Sequence, residues 1–151
     1  MAEIDIARIR DKLSFLREQS QMINQSLAAY EREIASAEPA VPPRTLFLGL
    51  EHALQTSVQT VIDIAHHITA KALRVAPRDP YAALEGLVRA RAITETTAAT
   101  CRGMVGFRNR LVQGYETVDP AKVLENARRS GDFEVFAREI EDYLDRLTKE
   151  R

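Results

Sequence analysis

Gly106-Phe107-Arg108-Asn109-Arg110-Leu111-Val112-Gln113-Gly114-Tyr115 reads as the closing turns of a helix that carries more polar chemistry than a surface helix needs. Met104, Val105, Phe107, Leu111 and Val112 recur at steps of three and four, which predicts one buried face with Arg108 and Asn109 leaving from its margin. Gly114 suits the left-handed position that ends a helix, and Tyr115 is then the first side chain beyond it. At about 100° and about 1.5 Å per residue, positions 108 and 113 point about 140° apart and lie about 7.5 Å apart along the axis. Only a wide groove uses both. Arg108, Asn109 and Gln113 are therefore expected to fan into a cleft against another helix or a second subunit.

Outward from this segment the chain is helical throughout. Ile6, Ile9, Leu13, Leu16, Ser20, Ile23, Leu27, Tyr30 and Ile34 form an unbroken seam that predicts one helix of about 50 Å over residues 4–37. Bundle packing explains that seam more simply than a free-standing coiled coil does. The segment Glu38-Pro39-Ala40-Val41-Pro42-Pro43 ends it, because proline lacks the donor and pushes its predecessor to extended backbone. A second long helix follows over residues 44–73, with Leu46, Leu50, Leu54, Val58, Val61, Ile64, Ala65 and Ile68 on its apolar face. Its other side carries Glu51, Gln55, Gln59 and Asp63 at every fourth position, continuing to His67. Such a stripe is usually solvated, but in a dimer it would line the opposite wall of a cleft.

Shorter helices are expected over residues 81–90, from the Thr94 cap to Gln113, over 121–129 behind the Asp119-Pro120 start, and over 133–149. Ser130-Gly131-Asp132 is read as the break before the last of them. With no strand pattern or internal repeat, the fold class is all-α: an up-down bundle of about five helices, the first two antiparallel, in a single domain spanning 1–151.

A chain of 151 residues supports one core. No apolar run approaches the roughly 20 residues of a membrane helix, and Met1 to Arg10 has no continuous apolar stretch of the secretory kind. A cytoplasmic location without membrane association is the expectation. The single Cys101 excludes an internal disulfide and reads as a buried helical thiol. A net charge of −1 gives no global attraction to nucleic acid, so any such binding needs a local patch.

Among candidate site residues Arg108 stands first. A guanidinium is planar, permanently charged and able to hold two phosphate oxygens, and it stabilises charge growing at phosphorus. A structural salt bridge is the competing role. Asn109 serves either to orient a phosphate or to close the helix end. Arg102 and Arg110 are candidate RNA-backbone contacts. His52, His66 and His67 all lie in the second helix, and only Asp63 with His67 has a metal-like spacing, so neither metal nor cofactor is expected. Gly103 and Gly106 lack the strand and the Lys-Ser/Thr of a phosphate loop.

The signature stretch is similar to the Arg-x4-His-x-Tyr motif of the HEPN superfamily in its HepT-like branch of bacterial toxins. The resemblance extends to Leu50-Glu51-His52-Ala53-Leu54 with Val61 to Ile68, and to Asp132-Phe133 with Phe136, Ala137 and Ile140, covering most of residues 45–145. It implies a metal-independent endoribonuclease acting on RNA as a homodimer whose two signature helices form one cleft. It also implies an MNT-type nucleotidyltransferase antitoxin that attaches AMP at the tyrosine, here Tyr115. This chain departs from the motif at one position, with Gln113 where the family has histidine. Metal-independent cleavage needs a group that moves a proton near neutral pH, and glutamine does not titrate. The chain is therefore expected to be a weak or inactive nuclease, through a degenerate natural site or through an inactivating His→Gln replacement. The alternative is a non-catalytic helical module that pairs with a nucleotidyltransferase or another protein.

Overall fold

Helix starts are written locally in this chain. Asp5, Asp79 and Asp119 each accept a backbone N–H from the first turn that follows, from Arg8 at 3.1 Å, Ala82 at 2.8 Å and Ala121 at 3.0 Å. Pro80 and Pro120 occupy the first helical turn behind two of these caps, where a missing donor costs nothing. Thr94 caps the signature helix by accepting from Thr97 N at 3.1 Å. Glu139, from the last helix, receives Thr94 N at 2.7 Å and the Thr97 hydroxyl.

The structure is a computed structural model that describes residues 3–113 and 119–150. Within them, six helices follow one another: α1 (Ile6–Ile34), α2 (Pro43–Leu73), α3 (Pro80–Arg89), α4 (Glu95–Gln113), α5 (Pro120–Arg128) and α6 (Gly131–Lys149). The all-α bundle is as expected, and its six helices correspond to the six segments read along the chain, one more than the overall count of about five. Gly114 and Tyr115, with the expectations placed on them, lie outside the described residues.

The long α2 is the central element. It packs on α1, α3, α4 and α5, while α5 also meets α1 and α6 closes the bundle against α1 and α4. Leu50, Leu54, Val58, Val61, Ile64, Ala65 and Ile68 are buried as the spacing predicts, joined by Phe47. The α1 seam is buried only from Ile9 to Ile23, and Ile34 is exposed because the helix end runs past the core. Tyr30 still reaches Phe47, at 5.9 Å between ring centroids.

The polar interruption of that seam has a structural reason. Ser20 is buried and donates to the Ser130 carbonyl at 3.3 Å, while the Ser130 hydroxyl bonds Asn24. These contacts tie α1 to the α5–α6 corner. That corner is tighter than the sequence suggests, because Gly131 and Asp132 already belong to α6 and only residues 129–130 separate the helices.

One further tie gives a pH dependence. His67 Nε2 accepts the Asp5 N–H at 3.1 Å, joining the start of α1 to α2. Burial, reinforced by Arg8, Lys71 and Lys12 and opposed by Asp5, holds the imidazole below its ordinary pKa. The unfolded chain thus takes up the proton first. The stability contribution is complete above about pH 6.5 and is lost as pH falls from there through the lower folded-state value. Urea midpoints at pH 7.5 and 5.5 are expected to differ less in His67→Asn than in the native chain.

Candidate functional site

The α4 helix positions the signature side chains, and it sets Arg108 deeper than its sequence spacing predicts. With Arg108 as origin, Cys101 lies at about 20°, Met104 at about −40°, Val105 at about 60° and Leu111 at about −60° around the helix. All four are buried. Arg108 therefore emerges within the packed face and not from its margin.

A half-buried guanidinium there must find partners inside the bundle. Its Nη2 donates to Gln59 Oε1 of α2 at 2.5 Å and its Nη1 to Asn109 Oδ1 at 3.3 Å, while Nε is buried and has no hydrogen-bond partner among the described residues. Gln59 in turn donates from Nε2 to Asp63 Oδ1 at 2.9 Å. Asp63 Oδ2 lies 3.7 Å from Lys12 Nζ on α1. The result is a polar relay across three helices. Its ionic end is partly exposed and adds little stability.

The stripe of α2 is thus not simply a solvated face, since Gln59 meets the signature arginine within one chain. Gln59 and Asp63 also line a groove of about 530 Å³ between α1 and α2, with Arg8, Lys12, Phe15 and Thr56 on its walls. The sequence marked these α2 residues by their four-residue period. It contained no sign of Lys12 as the last member of the relay.

The remaining candidates divide. Asn109 joins Arg108 directly. Gln113 and Val112 are exposed at the end of α4. Arg102 is ion-paired to Glu95 at 2.6 Å. Arg110 lies about 160° around the helix from Arg108. There it lines a separate cavity of about 370 Å³ with Lys122, Asn126 and Arg129, so the two arginines do not share a groove.

Neither the thiol of Cys101 nor the imidazole of His67 is free to react here. Cys101 is fully buried, and burial, with Glu139 and Asp132 nearby, pushes its pKa up to about 12. Asp63 and His67 are engaged by Gln59, Lys12 and Asp5. Among the described residues no group of three or more His, Cys, Asp or Glu is arranged to hold a metal ion, and no helix is long and apolar enough to cross a membrane.

The model of the family described as "Ribonuclease HepT-like" matches residues 23–143, from the middle of α1 to the last turns of α6, and includes the whole Arg108 relay except Lys12. The chain belongs to the HepT-like family.

Solved structures share the fold of this HepT-like chain. A cytosolic protein of unknown function from Bacillus subtilis, YutE, superposes with a TM-score of 0.75 at 18% identity, over 97% of this chain and 95% of that one. The tri-AMPylated HEPN toxin of Shewanella oneidensis, solved in complex with an MNT antitoxin, gives 0.76 at 24% identity over 91% and 98%. A toxin–antitoxin structure with AMP-PNP gives 0.76 at 23% over the same shares. None of the curated proteins matches the chain.

Proposed function

We propose that this HepT-like chain is the toxin half of a toxin–antitoxin pair, built as a metal-independent endoribonuclease and left weak or inactive by Gln113. The observation that carries this reading is the Arg108–Asn109 fork on α4, tethered to Gln59. A guanidinium has five N–H donors, and two hydrogen bonds to neutral oxygens leave its charge and its other donors to meet a phosphate. In RNA cleavage that cation stabilises the charge growing on phosphorus while a titrating group at position 113 moves the proton. The cytoplasm is the compartment that goes with RNA as substrate.

The working unit of this reading is a two-fold dimer through the face that carries Arg108. That face has apolar residues to bury. Phe15 and Met22 on α1, Leu48 on α2 and Val112 on α4 are all exposed. Leu48 lies within about 20° of the Gln59 direction on α2, and Val112 within about 40° of Arg108 on α4. A symmetric contact would cover them and enclose two copies of the site. The non-catalytic alternative is favoured by one observation, Gln113 itself.

A nucleotidyltransferase antitoxin that AMPylates Tyr115 completes the proposal, supported by the AMPylated toxin of like fold. Native mass spectrometry after incubation with the MNT-type partner, ATP and magnesium is expected to show dimers gaining mass in steps of one AMP. Tyr115→Phe should abolish the gain. Gln113 need not prevent it, because the acceptor is a hydroxyl. Monomers throughout, or labelling that survives Tyr115→Phe, would count against this assembly and target.

A further inference from the structure

We propose that Gln59 is a positioning residue for Arg108, and that the Asp63–Lys12 pair sets which end of the Gln59 amide faces the arginine. The proposal rests on the reading that Arg108 meets an RNA phosphate, and it adds the device that holds the guanidinium ready.

The geometry is directional. Asp63 Oδ1 accepts from Gln59 Nε2 at 2.9 Å, and a carboxylate oxygen accepts only from the N–H end of an amide. The oxygen end is thereby turned to Arg108, where it receives Nη2 at 2.5 Å. A flipped amide would set N–H against N–H at Arg108 and oxygen against oxygen at Asp63. Lys12, 3.7 Å from the other Asp63 oxygen, balances the carboxylate charge and keeps it on the α1 side. Asn109 Oδ1 takes the second contact, on Nη1. Nε is buried, so a ligand would meet the second N–H groups of Nη1 and Nη2, beside those given to Asn109 and Gln59.

The choice of glutamine has its own chemistry. A glutamate at 59 would hold the guanidinium at least as firmly but would cancel its charge, competing with the phosphate it is meant to bind. An apolar residue would leave the charge intact but release the fork, so that ordering it would fall to the binding step. A neutral acceptor whose direction is fixed by a carboxylate one helical turn away satisfies both demands. Position 63 is that turn, four residues on in α2.

The experiment uses the full native chain with Gln113, so that cleavage does not intrude. Guanidinium ¹⁵N resonances, with Arg108 assigned through Arg108→Lys, report whether rotation about the Cζ–Nη bonds is hindered. A fluorescent single-stranded RNA oligonucleotide, titrated across salt concentrations, reports affinity. Gln59→Leu is expected to free the Arg108 Nη rotation and weaken RNA binding by about tenfold. Gln59→Glu should keep the rotation hindered yet weaken binding and lower the salt slope by about 0.7, the share of one lost phosphate contact on a single strand. Hindered rotation and native affinity in Gln59→Leu would overturn the proposal. If that variant fails to fold, Gln59→Glu decides alone: native affinity and slope overturn it. If the native chain binds no RNA while Gln59→Leu still frees Arg108, the positioning stands and the RNA reading fails.

Discussion

Gln113→His is expected to raise RNA cleavage by about 10²–10⁴, the usual contribution of a positioned general acid or base. The substitution returns a group titrating near pH 6.5 to an exposed position at the end of α4, one and a half turns beyond Arg108. Activity should persist in EDTA, since the proposed mechanism uses no metal. In the restored background, Arg108→Ala should remove the gain, because the charge developing on phosphorus loses the one cation held at this site by Gln59 and Asn109. Arg102→Ala should do much less. Its guanidinium is already paired to Glu95, so the change is expected to weaken binding and its salt dependence more than turnover. The measurement is cleavage of total transfer RNA by the single and double variants. A folded, dimeric Gln113→His protein that leaves every RNA intact would leave the non-catalytic module as the better account.

A large effect on stability is expected at Gly86, where α3 approaches α2. A Cβ there would fall inside contact distance of Thr69 Cγ2 and Oγ1 and only 2.9 Å from Thr69 Cβ. Thr69 cannot simply turn away, since its hydroxyl donates to the Ala83 carbonyl at 2.8 Å and the side chain is buried. Gly86→Ala should therefore cost about 1–3 kcal/mol in overpacking and about 1 kcal/mol for the hydrogen bond. Alanine's better helix propensity returns up to about 1 kcal/mol. Thermal denaturation is expected to show a midpoint lower by about 3–10 °C. Gly103→Ala is the matched control, because a Cβ at that helical position meets nothing within 4 Å. Its midpoint should rise by about 1–4 °C from propensity alone. Equal shifts of one sign in the two variants would mean that α3 does not sit as close to α2 as described.

What the sequence by itself determined is the local part. The Asp119-Pro120 start, the Thr94 cap and the apolar period of α2 are visible in the chain because each depends on residues within one or two turns. The resemblance at the signature segment was legible for the same reason: Arg108, Asn109 and Gln113 are close neighbours in the chain. The depth of Arg108 was not legible, since an arginine among buried neighbours reads as a margin residue until an acceptor on another helix is found for it. That acceptor, Gln59, stands 49 residues away, and the last member of the relay, Lys12, is on a third helix. Likewise Ser20 is a flaw in an apolar seam until the Ser130 carbonyl, 110 residues on, accounts for it. Arg110, two positions from Arg108, points about 160° away around α4, into a cavity that Lys122 of α5 and Asp132 of α6 also line. Caps and periods act through bonds along one helix, whereas a buried polar side chain is placed by whichever helix can satisfy its hydrogen bonds, and only the tertiary structure decides which helix that is.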